Sequence, residues 1–164
     1  MVDRMARSLR VGMRKPLFRP CLYGRADCGG SLVHLAKPLT YMNRSGEVLP
    51  YLLRRTGTPP GGLVVVCDTM DLPTGRLRLK TRGGSAGHRG LQSIIAALGT
   101  EDFPRLYLGI GRPPPGVEVV SHVLGPFGPE EEGEIMGAVE RAAEALLRLT
   151  GEKPETVMHA INGS

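Results

Sequence analysis

The chain has no tryptophan and only seven other aromatic residues. That is too few for a platform of stacked rings under single-stranded bases, so any nucleic acid would be held mostly through its phosphates. Cysteine is scarce and odd in number: Cys21, Cys28 and Cys67, with no Cys-x-x-Cys pair. This argues against a disulfide framework and a zinc ribbon, and free thiols suit a reducing compartment. No apolar run approaches the roughly 18 residues that a membrane span needs. The opening residues 1–7 lack the apolar core of a secretion signal. A cytoplasmic chain with no membrane contact is therefore expected. His-Glu-x-x-His does not occur, and His34, His122 and His159 have no metal-ligand spacing, so neither metal nor cofactor is expected. Ser45 and Ser85 lack the Gly-x-Ser-x-Gly setting of a serine nucleophile, and no Walker phosphate loop is present.

What remains is ordinary in size and basic in charge. The 164 residues, 41% of them hydrophobic, suffice for one domain with a real core, expected over 1–164. Lys and Arg outnumber Asp and Glu by 21 to 16, a formal +5, which favours anionic partners such as nucleic acid or phosphate esters. Apolar spacing predicts a helix over 2–9, a loop over 12–20 and a short strand over 31–35. A helix over 47–55, capped by Ser45, should end at Gly57. The β-branched run Leu63–Cys67 reads as a strand buried on both faces, ending at Asp68. Residues 76–80 alternate strictly and read as a half-exposed strand with a basic outer face. A glycine-rich loop over 83–90 leads into a helix over 91–98, followed by a strand over 106–110 and a stiff Pro113–Pro115 loop. The longest helix should open at Pro129, with its acids in the first turn, and run to about Leu149. Residues 150–164 read as a tail or a last short turn. Strands alternating with helices make the class α/β, and the half-wet strand at 76–80 suggests a mixed sheet.

Three residues draw the chemistry. Asp68 closes an apolar strand, where ligands of α/β sheets collect; it is either a turn former or a carboxylate that orients a histidine or polarises a water. His88 lies in the glycine-rich loop ahead of a helix N-terminus, a setting that suits an anionic or carbonyl-bearing substrate, or else a flexible lid. Asn43 is either a cap or an amide that both donates to and accepts from a peptide or ester carbonyl. Arg76, Arg78, Lys80, Arg82 and Arg89 are candidate phosphate contacts.

These segments resemble the bacterial peptidyl-tRNA hydrolase family. The resemblance rests on residues 37–46 (KPLTYMNRSG), 68–75 (DTMDLPTG), 83–91 (GGSAGHRGL), 103–113 (FPRLYLGIGRP) and 123–127 (VLGPF), in family order across nearly the whole chain. It implies a single α/β domain with a mixed sheet between helices, acting as a monomer in translation. The activity implied is metal-free hydrolysis of the ester that joins a peptide to tRNA. Asn43 would contact substrate and position water, Asp68 would orient a general-base histidine, and His88 would sit near the peptidyl-adenosine end. Tyr41, Gly87 and Arg89 would join Asn43 and His88 in holding substrate, while Lys80, Arg82 and Arg105 would face the tRNA.

Three departures stand out. The family's opening strand, with its Gly-x-Asn-Pro-Gly turn and the Thr-Arg-His-Asn segment carrying the base, is not found in these residues. Arg89 replaces an asparagine after the loop histidine, and Tyr107 stands where a basic residue is common. The departures leave two readings. One is a hydrolase whose sequence starts late or whose gene is truncated. The other is a catalytically inactive relative that binds tRNA or structured RNA. A general small esterase fits the fold but not the basic strand.

Overall fold

A computed structural model describes residues 1–163. Six α-helices and five strands among them make an α/β architecture with a three-stranded mixed sheet and a separate two-stranded hairpin. The chain divides into two compact units. One holds Met1, residues 65–80 and the chain from Arg105 on; the other holds residues 2–64 and 81–104.

The mixed sheet belongs to the first unit. Strand β3 (Val65–Thr69) runs parallel to β5 (Arg105–Gly109), and β4 (Leu77–Lys80) pairs antiparallel on the other side of β5, giving the order β3-β5-β4. The alternation predicted for β4 holds: Leu77 and Leu79 are buried while Arg78 and Lys80 are exposed. The two leucines pack with Leu106 and with Ala138, Ala142 and Ala145 of α5 (Pro129–Arg148). The long helix forms where predicted, with Pro129 in its first turn, three acids at its positive end and Glu131 bonding back to the Gly128 amide. Two expectations for this unit need correction. The stretch read as a tail or a last short turn holds a nine-residue helix, α6 (Pro154–Asn162), whose Val157 and Ile161 enter the same core. Asn162 secures that helix by accepting from the Leu79 amide at 2.8 Å and donating to the Leu79 carbonyl at 3.0 Å, so one side-chain amide stands in for a neighbouring strand at the edge of β4. The apolar run at 63–67 starts its strand two residues late. Asp68 therefore lies inside β3 rather than beyond it, and all five residues of the strand are half-buried. A short helix, α4 (Val119–Leu124), was not foreseen; its His122 Nε2 lies 3.1 Å from the Ile110 and Gly111 carbonyls.

In the second unit, α1 (Val2–Ser8) buries Met5 and Ala6 and pairs Asp3 with Lys37 at 2.6 Å. The loop read over 12–20 ends in a strand that periodicity missed. Strand β1 (Cys21–Cys28) pairs residue for residue with β2 (Ser31–Pro38), so β2 extends beyond the expected 31–35 and ends at Pro38. The turn is Gly29-Gly30 with both φ positive and the Gly30 amide donating to Asp27, the two-residue pattern that suits right-twisted hairpins. The helix expected over 47–55 is split. Residues Met42–Val48 form a 3₁₀ segment, and α2 (Leu49–Thr56) follows, with Pro50 in its first turn and Gly57 at φ 69° as its stop. Ser45 does not cap it; its hydroxyl donates to the Met42 carbonyl at 2.8 Å and closes the 3₁₀ turn. No described helix is long and apolar enough to cross a membrane.

The 3₁₀ segment docks on α3 (Arg89–Leu98) through Gly46. Its amide donates to Ser93 Oγ at 2.9 Å, and a Cβ added at Gly46 would overlap the Ser93 carbonyl. The obstruction is helix backbone, which cannot swing aside. Gly46→Ala is therefore expected to cost roughly 3 kcal/mol in urea unfolding, the upper part of the usual overpacking range; a loss below about 0.5 kcal/mol, typical of a neutral surface change, would refute the close approach.

Candidate active site

Asn43 is exposed on the 3₁₀ segment, directly after Tyr41 and Met42. Local bonds set that segment: the Arg44 amide donates to the Tyr41 carbonyl, Ser45 closes the turn, and the Arg44 guanidinium grips Glu47 through two N–H···O contacts of 2.5 and 3.0 Å. An open groove of about 600 Å³ runs along it, lined by Pro20, Leu39, Thr40, Tyr41, Arg44 and Glu47. The Thr40 hydroxyl, buried there, has no hydrogen-bond partner.

His88 follows from the glycine-rich loop. The chain turns through two successive left-handed residues, Ala86 at φ 48° and Gly87 at φ 81°, and the His88 amide closes on the Ser85 carbonyl at 2.9 Å. His88 then caps α3: its Nδ1 accepts from the Leu91 amide at 3.2 Å. With Nδ1 occupied as an acceptor, the neutral ring carries its proton on Nε2. Gly90 is the residue that lets the two pieces meet. A Cβ there would lie 2.7 Å from the Met42 sulfur and 2.9 Å from the His88 ring. Met42 and the loop histidine thus both lie against Gly90, a close approach that a glycine in the sequence does not announce.

The charge at this end of α3 is positive. Its first turn holds no acid, and the exposed Arg89 is its first residue, adding to the helix N-terminal dipole. A neutral amide at 89 would leave the same backbone donors without that charge.

The capping bond makes His88 separable into two functions. His88→Ala removes both the cap and the Nε2 donor and is expected to cost about 1 kcal/mol in unfolding free energy, the usual worth of an N-cap. His88→Asn keeps a capping oxygen and should recover most of that stability without the Nε2 donor. Equal stability of wild type and His88→Ala would contradict the capping geometry.

Asp68 lies in the first unit, next to last in β3, half-buried and in register with Leu108. Its carboxylate helps to hold the neighbouring Cys67 thiol up at about 12; burial is the larger cause, and the Arg105 charge opposes both. Asp71, three residues on, is exposed and pairs with Arg112 at 3.3 Å.

The basic set divides. Lys80 and Arg82 are exposed, as a phosphate contact requires. Arg105 is wholly buried, so the expectation that it faces tRNA fails in this structure. On β5 it shares a sheet face with Tyr107 and bonds the phenol, which partly offsets the burial that raises the Tyr107 pKa. Tyr107 stands where a basic residue was expected, and Lys80 covers its ring at 5.8 Å. A cation occupies that part of the sheet all the same, supplied from the neighbouring strand. Among the described residues no three His, Cys, Asp or Glu side chains gather as a metal site would need.

Comparison with known proteins shows the family. The peptidyl-tRNA hydrolase family profile matches residues 1–164. Peptidyl-tRNA hydrolase of Aquifex aeolicus is 43% identical over 164 residues, covering 99% of this chain and 84% of that protein. The Bacillus subtilis peptidyl-tRNA hydrolase is 43% identical over 145 residues, 88% of this chain and 77% of that one. The crystal structure of peptidyl-tRNA hydrolase from Acinetobacter baumannii superposes with a TM-score of 0.89 at 31% identity, over 98% of this chain and 82% of that one. With a full-length profile match and relatives above two-fifths identity, the chain belongs to the peptidyl-tRNA hydrolase family.

Proposed function

We propose that this chain acts on peptidyl-tRNA in the cytoplasm, as a single-domain monomer, hydrolysing the ester between peptide and tRNA so that the tRNA returns to translation. The observation that supports the reading is the approach of Met42 and His88 to Gly90, with Asn43 the next residue after Met42. Asn43 presents an amide able to orient water and to donate to the ester carbonyl. His88, with its proton on Nε2, is a donor toward the adenosine end of the substrate. Tyr41, Gly87 and Arg89 flank these two in sequence, and Lys80 and Arg82 add exposed positive charge for phosphates.

The same geometry separates His88 from the role of base. Nδ1 accepts from Leu91 and Nε2 bears the proton, so abstraction by Nε2 requires the other tautomer and loss of the cap. The base is then sought in the family's Thr-Arg-His-Asn segment, which residues 1–164 do not contain, with Asp68 as its orienting carboxylate. The pairing of β3 accords with this: among the described residues it has a strand on one side only, despite its apolar composition. The second reading, an inactive relative that binds RNA, draws on the same engaged Nδ1.

The deciding experiment follows peptide release from peptidyl-tRNA alongside cleavage of a simple aryl ester. Hydrolysis of peptidyl-tRNA without cleavage of the simple ester supports the proposal. Cleavage of the simple ester alone contradicts it, and tight tRNA binding with no turnover, even with the Thr-Arg-His-Asn segment joined, favours the inactive relative.

A further inference from the structure

The formal +5 hides a strong asymmetry. Residues 2–64 carry eleven Lys and Arg against three Asp and Glu, whereas residues 65–164 carry ten against thirteen. The three acids of the basic stretch are engaged locally: Asp3 with Lys37, Asp27 with the Gly30 amide and Glu47 with Arg44. Within this stretch the hairpin and α2 build a ladder of arginines on aromatic rings. Arg19 lies over the Tyr51 ring at 4.6 Å, and Arg55 lies over Tyr23 at 5.2 Å and over Tyr51 at 6.0 Å. Tyr23 stacks on His34 at 5.9 Å and bonds its Nδ1 at 2.8 Å. The hairpin register sets Arg25 opposite His34, on the same strand face as Tyr23.

The arginines of this ladder are exposed while the rings beneath them are half-buried. A guanidinium stacked on a tyrosine loses its rotamer freedom in advance and keeps its edge donors for solvent. That arrangement suits phosphate oxygens better than a freely moving lysine would, because less entropy is lost on contact. No residue of this ladder belongs to the site around Asn43 and His88 or to the Lys80 and Arg82 set.

We propose that this face of the hairpin and α2 is a second binding surface, which takes the sugar–phosphate backbone of structured RNA through Arg19, Arg25 and Arg55. That the RNA is tRNA rests on the reading of the previous subsection; the surface itself does not require catalysis.

The test measures binding of the full chain to deacylated tRNA and to a short RNA duplex between about 50 and 200 mM salt. Two triple variants are compared with wild type: Arg19→Gln, Arg25→Gln, Arg55→Gln, and the same positions changed to Lys. The Gln variant should bind at least tenfold more weakly, and its slope of log affinity against log salt should be shallower by about 2 to 3, as for three lost phosphate contacts. The Lys variant should keep the slope with a smaller loss of affinity, and thermal unfolding establishes that both variants remain folded. Loss on both RNAs identifies duplex backbone as the ligand, and loss on tRNA alone identifies the tRNA fold. Wild-type affinity and slope in the Gln variant would overturn the proposal, as would failure of the wild type to bind either RNA. Because the readout is binding, a chain that proves unable to hydrolyse peptidyl-tRNA leaves this result interpretable.

Discussion

Joining a segment that carries Thr-Arg-His-Asn, with the family's opening strand, to the N-terminal side of residues 1–164 is expected to raise turnover of peptidyl-tRNA by about 10²–10⁴-fold, the usual worth of a positioned general base. The expectation follows from what the described side chains are doing. Asp68 is half-buried inside β3, next to last in the strand and in register with Leu108. His88 spends its Nδ1 lone pair on the Leu91 amide at 3.2 Å. An Nδ1 engaged in this way is not poised to take a proton from water, whereas an added imidazole would be. β3 gives a structural reason for the same result. It pairs with β5 alone among the described residues, although a run such as Leu63–Cys67 is of the kind found between two neighbours. Steady-state hydrolysis by the two chains, at matched tRNA affinity, measures the effect. Equal rates would place the base within residues 1–164.

Asn43→Ala in the joined protein is expected to lower kcat by about 10²–10³-fold, the range observed when one preorganised donor to a developing oxyanion is removed. The loss should fall mainly on kcat, because a donor aimed at the reacting carbonyl acts more strongly in the transition state than in the bound ester. Asn43→Asp keeps the size but loses the two donors and adds a negative charge, so it should be no better than Ala. The folded structure gives the contrast its meaning. Asn43 is exposed and its neighbours, not its own side chain, hold the 3₁₀ segment through Ser45, Arg44 and Glu47. Thermal unfolding of both variants should therefore stay close to that of the parent. A large drop in stability would mean that Asn43 is a structural residue after all.

The sequence made some of this fold legible and concealed the rest for identifiable reasons. Alternation in 76–80 and the single apolar stripe of 129–148 report burial directly, because each element covers one face of one core. Strand β1 escaped because one face mixes Cys21 and Tyr23 with the charged Arg25 and Asp27, while the other carries Gly24 and Ala26 between Leu22 and Cys28; its clearest mark was the Gly29-Gly30 turn that follows it. Helix α6 escaped because only Val157 and Ile161 of its nine residues are buried, too few for a periodic signal. Motifs singled out Asn43, Asp68 and His88 as candidates, but not the close approaches of the second unit. The Gly46–Ser93 and Gly90–Met42 approaches span tens of residues, and a glycine records nothing about what lies against it. Arg105 misled for the opposite reason: a cation at a strand start reads as surface, and burial of its guanidinium comes only with the fold.

The central claim is that Asn43 and His88 form one substrate-holding site, and it is tested most directly without turnover. The full chain would be titrated with a peptidyl-adenosine analogue carrying a non-hydrolysable linkage while the Asn43 side-chain amide and the His88 ring are followed by NMR. The account predicts that both sets of signals shift together along one binding isotherm, and that His88→Asn weakens it. Saturable binding that leaves both residues unmoved would contradict it.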